Sequence, residues 1–320
     1  MRQAPYGHAG RPGHRHTVHP VLKTAGAIAA VSVLSAIAFP AYVYLDSEAV
    51  IERRYPLPAI SEPAAPLPQM TAHGEHLAHI AGCGDCHGGN FEGRAIRAAG
   101  ALQIWSSNLR LAAATMSDGD FERALRHGIA PDATSLWGMP ALDYMYMSET
   151  DVAALLAYLR GLGRAGPPRP APAWDWRARL ALLDGRLVPS VLEMRAAPSS
   201  LDMGPRYDGG RYLARIACSE CHGTDLEGAR PRGVPDLSVI LIYSRPAFFD
   251  LLRRGRGAHD RPVPVMRRLA AIRFHSFADF EIMALYDYLD ARAHAPPGLV
   301  SRAKANEARR KAETATESDD

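Results

Sequence analysis

The sequence has few of the features that mark a catalytic centre. No Ser/His/Asp arrangement, no paired-carboxylate motif and no glycine-rich phosphate-binding loop stands out along its 320 residues. The formal net charge at pH 7 is only +3, which is too small to argue for nucleic-acid binding. We therefore assign no catalytic residue and expect no nucleic-acid partner.

Cysteine is also scarce, and its placement is informative. All four cysteines lie in two copies of one pattern, "CGDCHGG" at 83–89 and "CSECHGT" at 218–224. Two thiols three positions apart can form thioethers with the vinyl groups of a haem, and the adjacent histidine then ligates the iron. The sequence thus predicts two covalently bound haem c groups. Their attachment residues would be Cys83, Cys86 and His87 for one haem, and Cys218, Cys221 and His222 for the other.

Three other uses of these cysteines compete with haem attachment. A thioredoxin-type dithiol is expected in a strand–helix context, which the flanking segments lack. A zinc site built from both CxxC pairs would leave two histidines without a role, although each pair recurs with one. Disulfides between the copies would also leave the histidines unexplained. We favour haem attachment.

Long apolar runs are absent except near the amino terminus. Residues 24–45 carry no charge, basic residues precede them and acidic residues follow. A helix of that length rises roughly 33 Å and can cross a bilayer, with the basic side in the cytoplasm. The alternative is a cleaved signal peptide, because "AIA" at 36–38 resembles a processing site. We predict a cytoplasmic segment over 1–23, a single-pass inner-membrane anchor over 24–45 and haem domains in the periplasm of a bacterium.

The remaining chain contains two related globular segments. "GEHLAHIAGCGDCHGGNFEG" (74–93) matches "GRYLARIACSECHGTDLEG" (210–228), except for one extra residue just before the first cysteine. Apolar spacings of three and four predict amphipathic helices, and little alternates like a strand. The expected fold is all-α, with two tandem small cytochrome c domains. The predicted ranges are a proline-rich spacer at 46–69, domains at 70–165 and 203–293, a linker at 166–202 and a charged, disordered tail at 294–320.

A methionine downstream of the motif usually completes the iron's ligands in a small c-type domain. Met139 in "LWGMPALDY" and Met266 in "RPVPVMRRL" both precede the last helix of their segment. The proline after Met139 predicts an extended ligand loop, and two prolines before Met266 predict another loop. We assign both as distal ligands. The rival candidates are Met145, Met147 and His127 in the first half, and His259 and His275 in the second.

These motifs resemble the multihaem cytochrome c family that includes the membrane-bound cytochrome subunits of bacterial alcohol and gluconate dehydrogenases, over about residues 70–292. The resemblance implies the same haem and iron ligands. It also implies that the Pro235 carbonyl orients the proximal imidazole, whereas "GALQIW" in the first half has no matching proline. Trp105 and Asn108 fall where the family contacts a haem propionate, with Tyr243 as the counterpart, although core or turn packing is the alternative. The chain departs from the family in having two motifs where three haems are common, and in "LRLAAATMS" after Asn108.

With both irons six-coordinate, the chemistry left is one-electron transfer. The expected role is a relay between a dehydrogenase or quinol-oxidising complex and a soluble cytochrome or terminal oxidase. The alternatives are a dihaem subunit of a haem-copper oxidase, or a dihaem peroxidase or thiosulfate-oxidising enzyme with an open distal site. A basic face in the second half would either dock an acidic redox partner or be ordinary solvated surface. It consists of Arg253, Arg254, Arg256, Arg267 and Arg268.

Overall fold

The structure is a computed structural model that describes residues 20–60, 70–98, 100, 102–196, 200–229, 233–296 and 299. Most of the predicted cytoplasmic segment (1–19), the carboxyl-terminal part of the proline-rich spacer and most of the predicted charged tail lie outside these residues.

Helices make up most of the described residues, which confirms the mostly helical prediction. The helices of the first part are α1 (Pro20–Ile51), α2 (Met70–Ile80), α3 (Cys83–His87), α4 (Leu109–Thr115), α5 (Asp118–His127), α6 (Ala141–Tyr144) and α7 (Glu149–Gly161). Those of the second part are α8 (Trp176–Leu183), α9 (Ser190–Ala196), α10 (Asp208–His222), α11 (Arg245–Arg254), α12 (Pro264–Ile272) and α13 (Asp279–Ala293). Short 3₁₀ turns accompany them in the described part of the chain, at Pro205–Tyr207, Leu237–Ile242, Ala258–Asp260 and Phe274–Ser276.

A β-hairpin interrupts the first half. Strands β1 (Ala95–Ala98) and β2 (Leu102–Trp105) pair in antiparallel fashion, with Ala95 opposite Trp105, and form the one sheet among the described residues. At the corresponding place the described residues of the second half form an isolated bridge between Ala229 and Val234. The all-α prediction missed this hairpin because two four-residue strands are too short to show an alternating pattern.

Each half is held by a close crossing of its first and last helices. Gly74 of α2 lies so near α7 that a Cβ there would be 2.0 Å from the carbonyl oxygen of Ala154. Gly210 of α10 meets α13 in the same way, with Ala284 O 2.1 Å from the position of a Cβ. Only glycine permits backbones to approach this closely. The two halves therefore share their central packing contact.

The segment predicted to be a linker, 166–202, contains α8 and α9 and packs on the first half. Ala178 and Ala181 of α8 are fully buried in a small apolar cluster with the hairpin residues Leu102 and Ile104. Asp175 begins α8 by accepting a hydrogen bond from the Ala178 amide, as an N-cap residue does. This segment thus extends the first half rather than spanning freely between two bodies.

The apolar amino-terminal helix is long and apolar enough to cross a membrane over Thr24–Ile51, and it alone passes that test among the described residues. It continues beyond the predicted end at residue 45. The reason is a set of contacts with Arg179 of α8, whose guanidinium pairs with Glu48 at 2.7 Å and donates to Ser47 Oγ at 2.6 Å. The last turns of α1 are therefore bound to the globular part of the chain.

The two halves contact each other directly. His76 Nε2 of α2 lies 2.8 Å from Glu281 Oε1 of α13. The Tyr212 hydroxyl of α10 donates to Asp151 of α7, and the Arg215 guanidinium lies 4.0 Å from the centroid of the Tyr146 ring. Neighbourhood along the chain does not explain this contact, because the residues that meet are far apart in sequence.

The helix crossing can be tested with adjacent glycines of α10. A methyl group at Gly210 would overlap the backbone of α13, so Gly210→Ala is expected to destabilise the protein by about 1–3 kcal/mol. A Cβ on Gly209 would have no other atom within 4 Å, so Gly209→Ala is expected to be neutral or to stabilise by up to about 1 kcal/mol. Urea unfolding followed by far-ultraviolet circular dichroism measures both. Equal effects of the two substitutions would contradict the proposed crossing.

Candidate functional site

The two CxxCH motifs have the same backbone. Each ends a helix at its histidine, and the next residue, Gly88 (φ 79°, ψ 156°) or Gly223 (φ 79°, ψ 155°), turns the chain away. In the first copy the Gly93 amide then donates to His87 O at 2.7 Å, and in the second the Gly228 amide donates to His222 O at 2.7 Å. Such close agreement at two distant places indicates that one local structure has been built twice.

A backbone carbonyl fixes each motif histidine. His87 Nδ1 lies 2.8 Å from Ser107 O, and His222 Nδ1 lies 2.9 Å from Pro235 O. When Nδ1–H donates to a carbonyl, the tautomer and ring orientation are set and Nε2 keeps the lone pair that ligates a metal. The Pro235 contact is the one implied by the family resemblance.

In the first half, the Ser107 carbonyl makes the contact that a proline makes in the second. Sequence reasoning missed this residue because a proline was expected, whereas every residue type has a carbonyl. The hairpin also lengthens the chain between the histidine and its carbonyl partner in the first half. His87 and Ser107 are 20 residues apart, whereas His222 and Pro235 are 13 residues apart. The loop is tightly packed here, because a Cβ on Gly93 would lie 2.2 Å from Ser106 O.

The two methionines assigned as distal ligands occupy equivalent places. A left-handed glycine, Gly128 or Gly255, ends the preceding helix in each half. An isolated bridge follows at once, Ile129–Ser135 in the first half and Arg256–Pro262 in the second. Met139 and Met266 each come four residues after the later member of that bridge.

The surroundings of the two methionines differ. Met139 lies in a loop before α6, whereas Met266 lies in the first turn of α12 and not in the expected loop. The reason is Pro264, which occupies the first helical position, where its fixed φ favours a helix start. Both side chains are half-buried and pack against the core. Their role as iron ligands stays a prediction.

The rival candidates lie in other settings. Met147 is only 1% exposed and belongs to the core, Met145 accepts a hydrogen bond from Arg126 through its carbonyl, and His127 is half-buried at the end of α5. His259 and His275 are both exposed. Met139, in contrast, lines the same cavity as the cysteines and the histidine of the first motif.

Two adjoining cavities open on the first motif, and the larger measures about 840 Å³. The residues that line both include Cys86, His87, Ser107 and Met139. The smaller cavity is apolar and is also lined by Cys83, Leu125 and Leu155. Two thiols, one oriented imidazole and a methionine around an apolar cavity are the donor set that haem c needs, so the residues fit this group. Cys218, Cys221 and His222 are half-buried around the second motif.

Burial shifts the pKa values of the motif side chains. Burial lowers the pKa of His87, partly offset by its bond to Ser107, so the imidazole is held in the neutral form that binds metals. Burial raises the pKa of Cys83 and of Cys218 to about 12, against a smaller opposing effect of Arg273. All four cysteines are free thiols. Among the described residues no three His, Cys, Asp or Glu side chains cluster as a metal site would require.

The residues that the family resemblance places near a propionate are engaged in other contacts. Asn108 caps α4 by accepting from the Leu111 amide, and its amide group donates to Ala165 O at 2.8 Å. Trp105 is 40% exposed and has the Arg169 guanidinium 5.3 Å from its ring centroid. Trp105, Asn108 and Arg169 all line the larger cavity. The Tyr243 carbonyl accepts a hydrogen bond from Tyr286.

The basic face of the second half is partly neutralised. Arg253 pairs with Asp279 at 2.7 Å, and Arg254 and Arg256 both face Asp250. Three of the five arginines in this face thus have carboxylate partners, which reduces the positive charge offered to an acidic redox partner.

One residue that sequence reasoning missed connects the two motifs. Arg273, which follows α12, is only 3% exposed. Its guanidinium forms ion pairs with Asp85, at 3.3 Å, and with Glu220, at 3.2 Å. These two acids are the residues before the second cysteine of each motif. No signal in the sequence singled out this arginine, because neither its spacing nor its neighbours match a motif.

A buried carboxyl group lies near the same contact. Asp143 of α6 is 3% exposed, and its Oδ1 has no hydrogen-bond partner among the described residues. Burial, and secondly the charge of Glu220, raises its pKa from 3.8 to about 8. Asp143 is therefore protonated in the folded protein at neutral pH and ionised in the unfolded chain.

This difference predicts a pH dependence of stability. The neutral carboxyl favours the folded state fully below the unfolded pKa, and this contribution is lost as pH rises through the folded value of about 8. Asp143→Asn keeps a neutral side chain at every pH. The melting temperature of the variant is expected to rise relative to that of the parent between about pH 4 and pH 8. A difference that stays constant across this range in thermal unfolding would show that Asp143 does not titrate in this way.

Comparison with known proteins identifies relatives of one kind. The gluconate 2-dehydrogenase cytochrome c subunit of Pantoea cypripedii is 30% identical over 169 residues, which cover 48% of this chain and 38% of the relative. The fructose dehydrogenase cytochrome subunit of Gluconobacter japonicus is 26% identical over 271 residues, 72% of this chain and 55% of the relative. The alcohol dehydrogenase (quinone) cytochrome c subunit of Gluconacetobacter polyoxogenes is 25% identical over 264 residues, 69% and 56% respectively.

These relatives confirm the resemblance inferred from the motifs, since they are cytochrome c subunits of gluconate, fructose and alcohol dehydrogenases. The chain spans between 38% and 56% of the length of these three proteins. No family model matches the chain.

Proposed function

We propose that this chain is a membrane-anchored dihaem cytochrome c that relays single electrons in the bacterial periplasm. Electrons would pass from a dehydrogenase or a quinol-oxidising complex, through both haems, to a soluble cytochrome or a terminal oxidase. The coarser part of this proposal, an electron-transfer cytochrome carrying haem c, is supported by the cytochrome c subunits among its relatives.

The observation that carries the proposal is the repeated geometry of the two motifs. Both have a histidine oriented by a carbonyl through Nδ1, at 2.8 Å and 2.9 Å. Both also have a methionine at the same place relative to the preceding bridge. A single CxxCH could occur by chance, but two copies with matched supporting contacts favour two haem sites.

Each residue type has a distinct task in this proposal. Bound haem would supply a one-electron Fe(III)/Fe(II) couple at each site. The cysteines would hold it covalently, and the carbonyls of Ser107 and Pro235 would keep His87 and His222 aimed at the iron. Leu125, Leu136, Leu155 and Leu159 would exclude water from the first site, which disfavours the more highly charged oxidised state.

The anchoring part of the proposal rests on α1. Its apolar stretch has the length to cross the inner membrane once, with the haem domains on the periplasmic side. Exposed Phe39 lies against Trp176 of α8, with ring centroids 6.0 Å apart. Tryptophan favours the membrane–water interface, so Trp176 would place α8 there and keep the globular part close to membrane partners.

The partner remains a proposal based on the relatives. Their names describe cytochrome subunits of dehydrogenases that act on gluconate, fructose and alcohols. A membrane or periplasmic dehydrogenase of a small hydroxylated substrate is therefore the electron donor that we favour. Copurification with the subunits of a haem-copper oxidase in mild detergent would instead support the oxidase alternative.

The haem count is tested by removing one motif at a time. The parent protein, denatured and freed of loosely held pigment, is expected to retain two equivalents of haem per chain by visible absorption and intact mass. The double variant Cys83→Ala/Cys86→Ala should retain one, and so should Cys218→Ala/Cys221→Ala. The double variant Cys83→Ser/Cys86→Ser also removes both thiols but keeps side chains of similar size, so it controls for the lost volume and should likewise retain one equivalent. Colourless parent protein from a cell that matures c-type cytochromes would refute the proposal.

The axial methionines are tested by spectroscopy. Methionine bound to Fe(III) gives a weak absorption near the red end of the visible spectrum, and Met139→Leu and Met266→Leu are each expected to remove part of it. Leucine preserves volume, so folding should be retained. Met147→Leu is the control, because this buried side chain belongs to the core. A Met266→Leu variant with an unchanged spectrum would mean that the second iron lacks this ligand, which would favour the dihaem enzyme alternative.

A further inference from the structure

Arg273 makes the same kinds of contact with both motifs. Besides its ion pairs with Asp85 and Glu220, its Nη2 donates to Ala81 O at 3.1 Å and its Nη1 to Ala217 O at 3.4 Å. Ala81 and Ala217 are matching residues of the repeat, just ahead of the first cysteine. One side chain therefore contacts one carbonyl and one carboxylate from each motif.

The first motif has a specific adaptation that admits this side chain. Gly82 is the extra residue that has no counterpart in the second copy. It adopts a left-handed backbone with φ of 72°, and a Cβ there would lie 1.4 Å from Arg273 Nη2. Any other residue would occupy the space of the guanidinium. The one insertion in the repeated segment thus lies where the arginine enters.

The charge of Arg273 is permanent and buried. An arginine side chain does not lose its proton in proteins, so burial cannot neutralise it. Asp85 and Glu220 offset the cost of that burial, and both remain partly exposed, with 28% and 42% of their side-chain surface accessible. Two carboxylates without the arginine would repel each other across the contact.

We infer that Arg273 is a positioning residue shared by the two redox centres. It holds the two attachment motifs against each other, and its positive charge raises the reduction potentials of both haems together. This inference rests on the proposed function. Its physical reason is that adding an electron to either iron lowers the positive charge of that site, and a nearby fixed cation stabilises the reduced state.

Redox titration of the full-length holoprotein in detergent tests the inference. Arg273→Gln removes the charge and is expected to lower both midpoint potentials, with a fall on the order of tenfold in each equilibrium constant for reduction. Arg273→Lys keeps the charge and is expected to recover most of the shift. A purely structural role would not give this recovery, since lysine cannot reproduce the guanidinium's four contacts.

Arg292 provides a matched control. It is another arginine with a largely buried side chain, 9% exposed, and its polar partners in the described part of the chain belong to the second half, Asp236 at 3.1 Å and Asp225 O at 2.9 Å. Arg292→Gln is expected to shift only one midpoint. Asp85→Asn and Glu220→Gln, which leave Arg273 less neutralised, should each raise both midpoints.

The outcomes separate the two proposals. Haem is counted in every variant before titration, and a parent without covalent haem refutes the proposed function. If the parent holds two haems but Arg273→Gln shifts neither midpoint, or only one as Arg292→Gln does, the shared role of Arg273 is wrong. Should Arg273→Gln fail to accumulate, the Asp85 and Glu220 variants decide, and the absence of an upward shift in both midpoints overturns the inference.

Discussion

The near contact of two helix backbones underlies the organisation of each half. Gly74 and Gly210 let the first helix approach the last so closely that no side chain fits between them. The CxxCH motif follows the first helix at once, and in the second half α10 continues through it to His222. The crossing therefore determines where the motif histidine lies relative to the core. The loops carrying Ser107, Pro235 and Met139, and the first turn of α12 with Met266, pack around that frame.

On this common frame the two sites differ in their surroundings. His87 is buried, whereas His222 is half-exposed. The first site has a hairpin beside it and a methionine in a loop, and the second has a short bridge and a methionine on a helix. Ligand orientation, solvent exposure and nearby charge all tune a haem's potential. In the proposed dihaem cytochrome, two sites with the same donor set in unlike environments would have a physical reason to differ in reduction potential.

Much of the fold and of the site followed from local patterns. Helical periodicity predicted the amphipathic helices, such as α7, and the spacing of Cys83, Cys86 and His87 predicted their common chemistry. The resemblance predicted the Pro235 carbonyl contact, which the structure shows at 2.9 Å from His222 Nδ1. The sequence pattern did not predict the hairpin, because its strands are too short to show a clear alternation. The pattern around Met266 predicts a loop because two prolines precede it, but proline equally favours the first turn of a helix, and Pro264 begins α12.

The sequence by itself determined the candidate chemistry of the chain: two copies of the CxxCH pattern with their histidines, the candidate methionines and one apolar helix. These properties depend on residue types at short spacing, which a linear pattern records. Only the tertiary structure decided how the two halves contact each other and that Arg273 contacts both motifs. It also decided that the Ser107 carbonyl contacts His87, as the Pro235 carbonyl contacts His222 in the other half. Such contacts join residues distant in sequence, and backbone carbonyls and buried ion pairs are specified by packing geometry, which no local pattern encodes.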